Sequence, residues 1–334
     1  MLHKTMMLIL TTVLTLSGTG SIFAQDAASK TPNDENVGSS VYLPLLQAGQ
    51  QDITSETVEP AGHDDDGDRS KRCGNNRGGE RWGNRRGALE VIGLTANLRL
   101  ICFDESNPQN ADTIGTIAGL ATDTSLIGID FRPATSELYA VGNAGGVYTL
   151  SLDNAQATLR SRLNVALSGS SFGVDFNPTV DRLRIISDNG QNLRVNVDDG
   201  TTLVDGTLAY TPGTPATGVA GAAYTNNDAD PNTATTLFDI DSLLDQVTIQ
   251  SPANSGQLVA TGKLTVDTAP AIGFDIYSTV RNGTTEDVRA FASLLVDGKT
   301  RFYRITLLTG KASQVGAFRT KNQVIGIAIP LNQR

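Results

Sequence analysis

Two sets of residues in this sequence are of types that could do chemistry. The first is Asp130, Asp175 and Asp275, each closing a Gly-x-Asp triplet. Carboxylates brought to one place would suit a glycosidase-like hydrolase, in which one acid protonates the leaving oxygen and another acts as base or nucleophile. The same oxygens could hold calcium. A repeated aspartate after glycine also bonds turn amides without any catalysis. The second set is Asp175, Asn177, Arg182, Arg184, Asp188, Asn192 and Arg194, with Tyr224 and Asn226 further on. Guanidinium forks with amides suit a carboxylate, a phosphate, a sugar acid or a polyhydroxylated ligand. The competing reading is an internal Arg–Asp network that braces the fold.

Composition narrows the chemistry. The chain has 334 residues and a net charge of −9, which disfavours a nucleic-acid partner. Its two histidines, His3 and His63, lie outside the repeating region described below. Ser-His-Asp and Cys-His catalysis, and histidine-ligated zinc, are therefore not expected there. Cys73 and Cys102 are too few for a zinc cluster or a disulfide scaffold. They could staple the polar segment to the first repeat, or Cys102 could be a buried free thiol. No metal ligand set is assigned, and calcium is the one cofactor left open.

The elements that must position these residues recur. Gly128-Ile129-Asp130-Phe131-Arg132-Pro133 aligns with Gly173-Val174-Asp175-Phe176-Asn177-Pro178 at an offset of 45, without a gap through Leu163/Leu208. Weaker copies begin at Gly221 and Gly273, and a last fragment spans Val324 to Ile329. Each copy holds about four strand-like runs; in the second they are 171–176, 182–186, 192–197 and 202–208. Leu193, Val195 and Val197 alternate with Asn192, Arg194 and Asn196, the period of a strand. Turn residues such as Asp188-Asn189-Gly190 lie between runs. Four strands per repeat of roughly 40–50 residues is the pattern of a β-propeller.

Residues 89–94, 98–103 and 113–117 supply three strands lacking a first, and the run at 324–329 supplies the missing one. The expectation is an all-β chain forming one propeller of five four-stranded blades, closed by the carboxyl-terminal strand. Six blades is the alternative. The two best repeats differ locally. Tyr139, Val147, Thr149 and Ser151 in the first stand where the second has Arg184, Asn192, Arg194 and Asn196. Such breaks in an apolar pattern concentrate at functional or strained sites.

The stretches around 126–140, 172–194, 223–227 and 236–241 resemble the secreted bacterial proteins grouped as domain of unknown function 4394. The resemblance covers roughly residues 87–330. It implies export and a repeat fold, and no activity.

The amino terminus reads as a secretory signal peptide over 1–24: His3 and Lys4, an apolar run from Met6 to Leu16, then small residues to Ala24. Residues 25–86 read as a disordered polar linker with an acidic run (Asp64, Asp65, Asp66, Asp68) and a glycine-arginine stretch. Counting from Asp64 as an EF-hand places Asn75 where the loop needs glutamate. Residues 87–334 form the propeller. The functional expectation is a monomeric, secreted or cell-surface binding module for a small ligand, glycan or extracellular protein. It has no nucleic-acid partner and no membrane span after signal removal. The alternative is an extracellular hydrolase using Asp130, Asp175 and Asp275.

Overall fold

The computed structural model describes residues 88–319 and 323–333. The expected signal peptide, the linker, Asp64 to Asp68 and Cys73 lie outside the described residues.

The described chain is a five-bladed propeller. Blade 1 holds β1 (Glu90–Thr95), β2 (Arg99–Asp104) and β3 (Asp112–Thr116). Blade 2 holds β4 (Leu126–Phe131), β5 (Leu138–Gly142), β6 (Gly146–Leu150) and β7 (Ala157–Arg162). Blade 3 holds β8 (Phe172–Asn177), β9 (Arg182–Ser187), β10 (Asn192–Val195) and β11 (Thr202–Val204). Two short strands, β12 (Ala209–Tyr210) and β13 (Thr214–Pro215), precede blade 4: β14 (Val219–Tyr224), β15 (Leu237–Asp241), β16 (Gln246–Gln250) and β17 (Gln257–Lys263). Blade 5 is β18 (Ala269–Arg281), β19 (Thr284–Val296), β20 (Lys299–Ile305) and β21 (Ala312–Ala317). The final strand, β22 (Val324–Ala328), pairs antiparallel with β1 and becomes the innermost strand of blade 1. The ring is thus closed by the carboxyl-terminal strand, and six blades do not form.

Closure removes an exposed edge. It is reinforced past the strand, where Gln333 accepts from the Glu90 amide (2.7 Å) and donates to its carbonyl (2.9 Å).

The alternation read from sequence has a physical counterpart. Each blade buries both faces against its neighbours, and each of the five blade–blade interfaces has its own apolar cluster. Leu193, Val195 and Val197 face blade 2. One boundary differs from expectation. The run 202–208 is not a single strand, since β11 ends at Val204. Asp205 then turns inward to bind Arg184 and Arg194, and the chain crosses to add β12 in parallel beside β17 of blade 4.

The repeated glycines mark where the inner strands crowd round the axis. A Cβ on Gly173 would stand 2.6 Å from the Ala222 nitrogen, and one on Gly273 would stand 2.7 Å from the Ile327 nitrogen. Only glycine allows that approach. The space left among these strands at this level is about 10 Å³, no more than one water needs.

Candidate functional site

Asp130, Asp175 and Asp275 do converge. One carboxylate oxygen from each lies within 4.8 Å of the others, and all three residues are buried. What these carboxylates bind is specific. Asp130 accepts the amides of Phe131 and Phe176, each at 2.7 Å. Asp175 accepts the amide of Tyr224 at 3.0 Å. Asp275 accepts the amides of Ile276 and Ile329, each at 2.6 Å.

These five donors occupy one repeat position, the residue after the aspartate position, in all five inner strands. An inner strand has no further strand to pair with on the axial side, so its inward amides need another acceptor. Blades 4 and 1 carry Ala223 and Ala328 where the others have aspartate. Blade 2 and blade 5 compensate, because Asp130 and Asp275 each serve both their own blade and the next. Six carboxylate oxygens thus face five amides, and the one without a hydrogen bond belongs to Asp175.

The same crowding weakens all three as acids. Burial lifts the carboxyls of Asp130 and Asp175 well above the usual carboxylate range, and neighbouring aspartates add to it. Burial carries Asp275 to about 7, against the opposing pull of the Ile329 and Ile276 amides.

The second predicted set divides. Arg184, Asn192, Arg194 and Tyr224 meet at the interface between blades 3 and 4. Arg184 is 1% exposed. Its Nε donates to the Tyr224 hydroxyl (3.2 Å), one terminal nitrogen to Asn192 Oδ1 (2.8 Å) and Asp205 Oδ2 (2.5 Å), and the other to Asn254 Oδ1 (2.7 Å). Arg194 grips the same Asp205 through two bonds of 2.7 and 3.0 Å. Burial works against the charge on Arg184, but Tyr224 and Asp205 more than restore it.

Asn177 also reaches the Tyr224 hydroxyl, and it caps its own turn by accepting from the Thr179 amide. The other members lie elsewhere. Arg182 donates to the backbone carbonyl of Asp181 (2.9 Å). Asp188 follows the opposite end of β9 and accepts the Ser170 amide at 2.9 Å. Asn226 sits in the loop after β14. Cys102 is buried in β2 and is disulfide-bonded rather than free; Cys73, its possible partner by sequence, is outside the described residues.

Sequence reasoning missed Asp205, Asn254 and Asp239. Asp205 had a signal, since the ungapped repeat places it opposite Arg160 of blade 2, a further departure beside those at Arg184 and Arg194. Asp239 is fully buried on β15, and neither carboxylate oxygen has a hydrogen-bond partner. It pairs across the sheet with Thr248, whose hydroxyl is likewise buried and unpartnered.

A cleft of about 290 Å³ opens where the blade 4 loop at 225–236 meets the tip of the long β18–β19 hairpin. Thr225, Asn226, Asn232, Thr236, Thr284 and Thr285 line it, with Ala234 and Val288 as apolar elements. Asn226 adopts a left-handed conformation (φ 57°) and ties the two walls together. Its amide donates to Ser278 Oγ (2.9 Å), and its Oδ1 accepts from Thr285 Oγ1 (2.6 Å). The lining carries no charged side chain.

No helix among the described residues is long and apolar enough to cross a membrane. No curated protein matches this sequence. Among solved structures, a protein of unknown function from Bacteroides thetaiotaomicron is 10% identical, with a TM-score of 0.41 over 53% of this chain and 45% of that one. Hydrazine synthase from Kuenenia stuttgartiensis is 12% identical, with a TM-score of 0.35 over 63% and 53%. Glutaminyl cyclase from Myxococcus xanthus is 18% identical, with a TM-score of 0.34 over 62% and 72%. The chain spans about half the length of the first two, and likeness of this degree assigns no activity. The family model described as Domain of unknown function (DUF4394) matches residues 99–328. With more than half of its length matched, and with the propeller repeat running through that span, the chain belongs to the DUF4394 family.

Proposed function

We propose that the protein is an exported, non-catalytic binding module that takes a small, uncharged, polyhydroxylated ligand in the cleft between blades 4 and 5. The observation that carries this reading is the lining: hydroxyls and amides converge on about 290 Å³, and no charged group faces it. That volume is near the lower end of the roughly 300–1,000 Å³ of ligand pockets, which suits one or two sugar units. Hydroxyl and amide groups both donate and accept, as a ring of sugar hydroxyls requires. An anionic ligand is less well served, because the arginines that would receive it, Arg184 and Arg194, are committed to Asp205.

The convergence of Asp130, Asp175 and Asp275 favours a second reading, an extracellular hydrolase. Two features weigh against it. The space left among the inner strands just before these residues is about 10 Å³, no more than one water needs and too little for a sugar. Five of the six oxygens also hold backbone amides.

Screening the purified protein against neutral and acidic oligosaccharides tests the proposal. Asn232→Ala and Thr284→Val alter exposed cleft residues and should weaken neutral-glycan binding at least tenfold without changing the melting temperature. Unchanged binding by both variants would remove the cleft from consideration. Release of reducing ends that Asp275→Asn abolishes would establish the hydrolase instead.

A further inference from the structure

We infer that the axial carboxylates form a proton-holding clasp, in which Asp175, the member with an oxygen free of backbone amides, holds a proton that helps keep the ring closed. The inference is independent of the ligand cleft and rests on an accounting of acceptors. Five inward amides, one per blade, occupy five oxygens. Both oxygens of Asp130 and both of Asp275 accept a backbone N–H. A proton on either residue would have to share an oxygen with an N–H that already uses one of its two lone pairs. Only Asp175 has an oxygen with no N–H aimed at it, its other oxygen being taken by Tyr224. Three negative charges whose oxygens lie within 4.8 Å of one another, in buried side chains, cannot all persist unaided. The free oxygen of Asp175 is where a proton fits and from which it can be shared with the facing carboxylates.

The surroundings of Asp175 reinforce this placement. From β4 and β18 it faces Asp130 and Asp275, and from β15 it feels Asp239, all of the same sign. From β14 comes the Tyr224 phenol, a neutral group. Its cross-strand partner on β9 is Arg184, whose charge is bound to Asp205. Beside these, β22 contributes Ala328 and Ile329, neither of which titrates. Burial and these neighbours raise the Asp175 carboxyl well above the usual range.

The consequence is a pH-dependent closure of the ring. An aspartate whose acidity is weakened by folding binds a proton in the native state at pH values where the unfolded chain has lost it. Stability from this source is greatest at acid pH and declines as pH rises through the native titration. That decline runs from the ordinary carboxylate range upward to the raised native value of Asp175.

The test is Asp175→Asn in the full chain. Asparagine keeps one acceptor for the Tyr224 amide and supplies an N–H where the proton sat. Melting of the wild type should fall by roughly 5 °C between pH 5 and pH 8, the size expected from a 1–2 kcal/mol change in a domain of this length. Glu90 and Asp239 also have raised values, so the readout is the difference between proteins. The variant should melt at or above the wild type at pH 8, with a flatter slope. An infrared difference spectrum, wild type minus variant at pH 7, should show a protonated carboxyl band. Equal slopes, or the absence of that band, would overturn the inference. So would a rise in melting on adding calcium at pH 8 that Asp175→Asn abolishes, because the cluster would then be a cation site. If Asp175→Asn does not fold, the inference also fails, since it requires the substitution to be tolerated.

Discussion

The interfaces on the two sides of blade 3 occupy the same place in the repeat and are built from different chemistry. Between blades 2 and 3, Tyr139 of β5 meets Phe176 of β8 edge to face, with ring centroids 5.4 Å apart. Between blades 3 and 4, Arg184 of β9 meets Tyr224 of β14 through a hydrogen bond of 3.2 Å. Tyr139 and Arg184 are equivalent in the repeat and equally buried, each 1% exposed. The first interface closes around eleven buried apolar residues, the second around eight. What the second lacks in apolar surface is filled by Asp205, Asn192, Asn254 and Arg194. A polar departure from a repeat is therefore a departure in packing before it is a sign of a ligand. The axis teaches the complementary lesson. Its aspartates recur because every inner strand presents the same orphan amide.

These contrasts can be broken experimentally. The largest effect should come from deleting residues 323–334, which removes β22 and with it the inner strand of blade 1. It also strips Asp275 of the Ile329 amide. The expected result is insoluble protein or loss of the cooperative melt, measured by circular dichroism. Unchanged melting would contradict closure by this strand.

Next in size is Arg184→Met. It leaves Asp205 nearly buried with Arg194 alone, and it removes the donors that Arg184 gives to Asn192 Oδ1 and Asn254 Oδ1. Breaking a buried charge network of this kind costs about 3–5 kcal/mol, readable in urea unfolding. The equivalent Tyr139→Leu should cost less than that and leave the arginine network intact. If Arg184→Met is as stable as the wild type while glycan binding is lost, the arginine belongs to a ligand site after all.

A smaller effect is expected at the axis from Asp130→Asn. Asparagine offers one acceptor where the Phe131 and Phe176 amides need two, leaving a buried donor unpaired at a cost of about 1–3 kcal/mol. Asp275→Asn should behave alike. The smallest is Tyr139→Phe, which removes only the 3.3 Å bond from Arg132. Arg132 keeps Asp181 and Asp198, so the loss should stay below about 1 kcal/mol.

Much of the architecture was legible in the sequence, for physical reasons. The glycines at 128, 173, 221, 273 and 326 mark five close approaches to one axis. The two-residue period of 192–197 separates the face toward blade 2 from that toward blade 4. The site was less legible. The recurrence of the aspartates at one repeat position anticipated their convergence and their bonding to amides, but not that they would serve the inner strands of neighbouring blades. The set from Asp175 to Asn226 ran together sequence neighbours that strands carry apart, as β9 does with Arg182 and Asp188. The cleft was hidden because it depends on a loop of blade 4 meeting a hairpin of blade 5, a contact with no local pattern. Only Asn226 anticipated it.

The most direct measurement is hydrogen exchange at the amides of Phe131, Phe176, Tyr224, Ile276 and Ile329 in the intact protein. The account holds that the aspartates serve these five donors as one ring. All five should then exchange as slowly as the central strands of the blades, opening only with global unfolding. In Asp130→Asn, protection should fall at Phe131 or Phe176 while Ile276 and Ile329 keep theirs. Fast exchange of these five amides in the wild type would contradict the account and return the three carboxylates to the candidates for chemistry.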